Sequence, residues 1–139
     1  MEAPLRIDAE AFRELDDFFE NAPISLHIVG PDGIIKRANK AELEFMGYAN
    51  APQDYIGRHI AEFHAESAVI ADMLETLVSG KPLLHYRANL RRRDGAIVPV
   101  IIYSSPRIDN GDFINTRCFT YAAQLSEQQE PDQFSWPQN

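Results

Sequence analysis

"GPDGIIKRANKAELEFMGY", Gly30 to Tyr48, packs a glycine turn, an apolar-to-basic run and a short helical pattern into one stretch. A turn of this kind cradles a phosphate when it leads from a strand into the N-terminus of a helix. It shapes a hairpin when strands flank it on both sides, with Pro early and Gly late. Upstream, "ISLHIVG" (24–30) alternates, with Ile24, Leu26 and Ile28 on one face, and predicts a strand. Downstream, "IIKR" (34–37) predicts a second. Neither GxGxxG nor GxxxxGK[ST] occurs in the chain. The turn is therefore read as a hairpin corner.

Asn39 is placed to cap a short helix, "KAELEFMGY", with Leu43 and Phe45–Met46 inward and Gly47 as its stop. Residues 49–63 read as irregular single turns. "SAVIADMLETLVS" (67–79) predicts a helix with Ile70, Met73, Leu74 and Leu77 on its apolar face, ended by Gly80 and Pro82. Three strands follow at about 84–93, 96–105 and 112–121, joined by "RDG" and "DNGD". Their inward residues are Tyr86, Ala88 and Leu90, then Val98, Val100 and Ile102, then Thr116, Cys118 and Thr120. At the front, "DAEAFRELDDFFE" (8–20) spaces Phe12, Leu15, Phe18 and Phe19 by three and four, an apolar stripe on an acidic helix capped by Asp8. "NAP" (21–23) ends it.

Two strands, covering helices and three strands make an α+β fold. The expected form is a single five-stranded antiparallel sheet with helices over one face and an N-terminal amphipathic helix. Residues 1–21 form the helix, 22–122 the domain, and 123–139, rich in Gln, Pro and acid, a disordered tail.

The 139 residues carry 45% apolar and 24% charged side chains, ordinary for one globular domain. The net charge of −8 is concentrated at the ends, −5 over residues 1–20 and −3 over 124–139, while the stretch between is neutral. That balance excludes a nucleic-acid partner, and "RRRDG" (91–95) reads as a solvated hairpin end. The start has neither the basic nor the apolar region of a signal peptide, and no run approaches the ~20 apolar residues of a membrane span. A cytoplasmic protein without membrane partners is expected.

In order and motif the chain resembles the PAS domain family of sensory modules. The resemblance rests on "NAP" before the first strand, "PDG" in the first hairpin and "ANKAELEFMGY" for N-x-A-x-x-x-x-x-G-Y. "YIGRHIAEF" and "RRRDGAIVPV" complete it, over about residues 15–121. It implies a sheet and helices enclosing a small-molecule or cofactor cavity, frequent dimerisation, and signalling rather than catalysis. The "Asp-Ile-Thr" that leads many relatives into a C-terminal output helix is replaced by Ala122, Ala123 and Gln124, and Pro131 and Pro137 interrupt any long helix. The chain is read as a stand-alone module, which Met1 favours, or as a piece of a larger sensor. A signalling protein such as a kinase would be its partner.

No enzyme chemistry is expected. Cys118 lies mid-strand with no base adjacent in sequence and reads as a buried, inert thiol. His59, Glu62 and His64 form HxxExH, but that spacing puts the two rings roughly 140° apart on a helix. No metal is assigned. The resemblance raises haem and flavin as alternatives to a cofactor-free domain. The long helix lacks the axial histidine of oxygen-sensing members, leaving His59 or His64 as ligand if haem were bound. Ile60 stands where light-sensing members carry a reactive cysteine.

The expected pocket for a small apolar ligand is lined by Leu26, Ile28, Phe45, Ile60, Phe63, Ile70, Met73, Leu74, Leu77, Val100, Ile102, Thr116, Cys118 and Thr120, with Tyr86 and Ser104 as polar handles. The same residues packing solidly on one another is the alternative. The outer sheet face carries Ile101, Tyr103, Phe119 and Tyr121, too apolar to face water. With Phe12, Leu15, Phe18 and Phe19 of the helix they form the expected homodimer interface.

Overall fold

A computed structural model describes residues 3–124, with side chains from Asp8 onward. The expected acidic tail lies outside the described residues from residue 125 on. The elements in chain order are α1 (Ala3–Asn21), β1 (Ser25–Val29), β2 (Ile35–Ala38), α2 (Lys40–Met46), two 3₁₀ turns (Pro52–Asp54 and Ile60–Phe63), α3 (Ser67–Val78), β3 (Leu83–Arg91), β4 (Ile97–Asp109) and β5 (Asp112–Ala122). The strands form one antiparallel sheet in the order β2-β1-β5-β4-β3. This is the expected α+β architecture. α2, the 3₁₀ turns and α3 pack their apolar residues on one face of the sheet, where Ile35, Met46, Leu77 and Val100 are buried in one core.

The Gly30–Gly33 turn joins β1 to β2. The Gly33 amide donates to the Gly30 carbonyl at 3.0 Å, and the Ile34 amide donates to Asp32 Oδ1 at 3.1 Å. Gly33 has φ +82°, and a Cβ there would sit 2.3 Å from His59 Nε2. Both the left-handed backbone and the imidazole lying over the turn demand glycine. The corner is architectural, filled by a side chain rather than open to an anion.

α2 starts and stops as read. Asn39 Oδ1 accepts from the Glu42 amide at 2.9 Å, and Gly47 ends the helix at φ +90°. Asn39 also receives the Leu26 amide at 3.0 Å and donates to the carbonyls of Phe19 and Ile24. One buried side chain thus ties α1, β1 and α2 together. The β4–β5 hairpin closes on Asn110–Gly111, with φ +50° and +83°. Two left-handed residues are the mark of a type I′ turn, whose twist matches the strands, so β4 continues to Asp109, beyond the expected end.

α1 begins at Ala3, so Asp8 lies inside the helix rather than capping it. Pro4 is tolerated there because the first turn has no hydrogen bond for it to lose. Among the described side chains of α1, the anchoring contacts lie at its C-terminal end. Arg37 pairs with Asp16 at 2.5 Å and lies 4.3 Å over the ring of Phe19. Phe12, Leu15 and Phe18 remain exposed, at 71%, 63% and 71%. Among the described residues no helix is long and apolar enough to cross a membrane.

Candidate ligand-binding cavity

Between the inner face of the sheet and α3 lies a cavity with about 30 Å³ of free space. Its floor is His27 and Val29 of β1, Thr116, Cys118 and Thr120 of β5, Ile102 of β4 and Leu90 of β3. Met46, Tyr55, Ile60, Phe63 and His64 form the sides, and Ile70, Met73, Leu74 and Leu77 the roof. Ten of the residues expected from sequence therefore meet around one space, namely Ile60, Phe63, Ile70, Met73, Leu74, Leu77, Ile102, Thr116, Cys118 and Thr120.

Four expected residues lie elsewhere. Leu26 and Ile28 stand opposite Phe119 and Arg117 on the outer face, because β1 turns Ser25, His27 and Val29 inward against Thr120, Cys118 and Thr116. Phe45 is half-buried beside Arg92, whose guanidinium lies 5.7 Å from its ring, while Glu42 and Met46 are the residues of α2 that go inward. Val100 is buried in the core but opposite Ala88, toward the β3 edge and off the cavity wall. Both parity errors share one cause: at each place a polar residue, His27 or Glu42, occupies the inward position, and apolar neighbours take the other.

His27 gives the cavity a polar wall, and Glu42 stands behind it. Glu42 is fully buried, and Tyr55 donates its hydroxyl to Oε2. His27 Nδ1 approaches the same oxygen at 3.4 Å, an ion-pair distance without the alignment of a hydrogen bond. Burial alone would push the His27 imidazole down, but Cys118 and Glu42 outweigh it and hold the imidazole well above its ordinary pKa. Burial pushes the Glu42 carboxyl up, and His27 together with the Tyr55 hydroxyl brings it below its ordinary value. The pair is thus imidazolium and carboxylate. His64 is different: burial, then the neighbouring His27 charge, push it down to about 4, so it is neutral.

Beside them, Ser104 Oγ bonds with Thr116 Oγ1 and lies 3.0 Å from Cys118 Sγ. Tyr86, the other expected handle, turns its hydroxyl away to Asp72 at 2.7 Å. Burial and the Asp72 carboxylate push that phenol up to about 12. Around this site, buried polar atoms without a hydrogen-bond partner include His27 Nδ1, Glu42 Oε1, His64 Nδ1 and Thr120 Oγ1, of which His27 Nδ1 still pairs with Glu42 as an ion. His27, His64 and Thr120 line the cavity.

Sequence reading missed His27, Glu42 and Tyr55. The available signal was negative: a histidine between Leu26 and Ile28, and a glutamate four residues before Met46. His59, weighed as a metal or haem ligand, accepts the Ala61 amide on Nδ1 at 3.1 Å and packs on Gly33, away from the cavity. Glu62 is exposed and paired with Arg58 at 2.6 Å. The HxxExH residues therefore do not converge, and among the described residues no group of three or more acidic, His or Cys side chains is placed to hold a metal.

A twisted antiparallel sheet whose inner face holds a small cavity under a lid of helices is the architecture of a sensory module. A PAS domain family model matches residues 23–120, and the chain belongs to that family. No curated protein matches it. Among solved structures it is similar to the PAS domain of an HTR-like protein from Haloarcula marismortui (TM-score 0.72, 19% identity, 88% of this chain and 100% of that one). It is also similar to a PAS domain from Colwellia psychrerythraea (0.70, 14%, 81% and 97%) and to a LOV protein of Rhodobacter sphaeroides (0.69, 15%, 85% and 69%). PAS domains are sensory, generally non-catalytic modules of signal transduction that commonly mediate protein–protein contact.

Proposed function

We propose that this PAS domain senses a small, mostly apolar molecule carrying one polar group, and passes occupancy on through protein–protein contact as a homodimer, without catalytic turnover. The observation that carries the reading is the pair of unpartnered buried atoms on the cavity wall, His64 Nδ1 and Thr120 Oγ1. Leaving a buried polar atom unpaired costs about 1–3 kcal/mol, which a ligand or water bonding there recovers. Space of about 30 Å³ admits about two water molecules. A tricyclic flavin ring or a porphyrin does not fit without displacement of α3, so a small ligand is the better reading. Ile60 at the position of the light-sensing cysteine also weighs against flavin photochemistry.

The exposed stripe of α1 supports the dimer. Phe12, Leu15 and Phe18 have no cover from their own sheet, and Phe119 on the outer sheet face is 46% exposed. Burying each such side chain contributes about 1.5–3 kcal/mol. A second copy supplies both surfaces at once. Tyr103, Tyr121 and Phe19 are half-buried beside or within this surface. Ile101, fully buried within the single chain, has nothing to offer it.

Native mass spectrometry of the purified protein tests the reading. A dimer retaining a small mass, with a thermal shift when that compound is returned, is the expected result. A bare monomer with no shift across a panel of small carbonyls, alcohols and acids would overturn it.

A further inference from the structure

The register of β1 on β5 sets His27 directly opposite Cys118 on the inner face. Directly opposed side chains in an antiparallel ladder have Cβ atoms about 4.5–5.5 Å apart. Behind His27 stands Glu42, at 3.4 Å from Nδ1. Nucleophile, proton-donating imidazolium and orienting carboxylate are thus in line, and Cys118 borders the cavity. We propose that Cys118 is a cavity-facing nucleophile that captures a small α,β-unsaturated carbonyl compound by conjugate addition, with His27, held by Glu42, donating the proton that completes the adduct. The inference rests on the cavity of the proposed sensor being reachable by small molecules.

Three features favour this class of ligand. The roof, with Met73 and Leu77, is apolar and selects an uncharged molecule. Methionine is unbranched and adaptable, so the small space opens by rotamer change to admit a few non-hydrogen atoms. The polar wall then supplies what a carbonyl oxygen needs. Thr120 Oγ1 is a buried hydroxyl with no partner, and His64, a neutral imidazole, presents an unpaired Nδ1 that donates in one tautomer. Both gain a hydrogen bond when the oxygen becomes an enolate.

In the step itself the thiol S–H bond breaks and a bond forms from Sγ to the β-carbon of the alkene. The thiol's proton leaves to solvent, the π pair moves to the α-carbon and carbonyl oxygen, and the His27 imidazolium gives its own proton to the α-carbon and regains one from solvent. The adduct has the summed composition of both reactants, with no oxidant or reductant. The thiol is prepared for this. Burial pushes Cys118 up, but the His27 charge and the hydrogen bonds from Ser104 and Thr116 bring it below its ordinary pKa.

The test is the rate of adduct formation with methyl vinyl ketone at neutral pH, read by intact mass and peptide mapping. The expected result is one adduct per chain on Cys118, formed about tenfold faster than on the urea-unfolded chain or on glutathione. His27→Gln slows it by about tenfold and returns the pH dependence to that of an ordinary thiol, near pH 8.5. A native rate equal to or below that of the unfolded chain overturns the proposal, and needs no variant to fold. An unchanged rate and pH profile in a folded His27→Gln protein overturns it too. An adduct that leaves oligomeric state and thermal stability unmoved keeps the nucleophile and removes the sensory reading. No adduct, alongside a retained non-covalent ligand, does the reverse.

Discussion

His27 and Glu42 face each other inside the domain with Nδ1 and Oε2 3.4 Å apart, and their side chains are 7% and 0% exposed. One comes from the second-innermost strand of the sheet and the other from α2, so the pair locks helix to sheet. Charges this deep persist only when each offsets the other's lost hydration. The Tyr55 hydroxyl on Glu42 and the Cys118 thiol opposite His27 complete the arrangement.

Removing one member should therefore cost far more than removing both. Glu42→Ala is expected to destabilise by about 3–5 kcal/mol, because it strands the imidazole and the Tyr55 hydroxyl in the core. The double variant His27→Leu/Glu42→Leu should lose much less than the two single changes together. Urea denaturation of the three proteins measures both, and additive losses would show that the pair is not coupled.

Stability should peak near pH 6.5, with two histidines limiting opposite sides. The folded pKa of His64 is depressed to about 4, so the unfolded chain takes up its proton first as pH falls. Stability drops from about pH 6.5 to 4, by about 3 kcal/mol in full. His27 has a raised folded pKa, so its contribution is whole below about pH 6.5 and is lost as pH rises through the folded value. Glu42, depressed in the fold, withdraws its contribution only at acid pH, below its unfolded value near 4.3. His64→Leu should flatten the profile between pH 6.5 and 4, read as the urea midpoint against pH.

Gly33→Ala and Gly57→Ala separate backbone strain from collision. Both glycines have positive φ, +82° and +94°, which costs an L-residue about 1–2 kcal/mol. Only at Gly33 would the new methyl meet another group, the His59 ring at 2.3 Å, whereas nothing lies within 4 Å at Gly57. Gly33→Ala should thus be the more damaging by a further 1 kcal/mol or so, measured by thermal denaturation. Equal losses would mean that the imidazole swings clear.

Phe12→Asp and Phe18→Asp change exposed positions and should leave chain stability within about 0.5 kcal/mol. If α1 builds the dimer, either change shifts sedimentation from dimer toward monomer. A sedimentation profile identical to the parent would place any interface elsewhere.

The element order, the hairpin turns and the Asn39 cap were legible because each is a local matter. Gly33, Asn39, Gly47 and Asn110–Gly111 are demanded by backbone geometry within a few residues, whatever packs around them. The roof of the cavity was legible as well, since α3 buries a face that its own spacing announces.

The chain's order of turns, caps and apolar stripes was enough to specify a five-stranded sheet under helices. Which face of β1 and α2 turns inward was not, because alternation assigns apolar residues to the core by default. Here His27 and Glu42 go inside, and each is tolerable only because the other is there, contributed by a segment distant in sequence. Mutual neutralisation of two charges is a property of their separation in space, and it emerges only when β1 pairs with β5 and α2 closes over them.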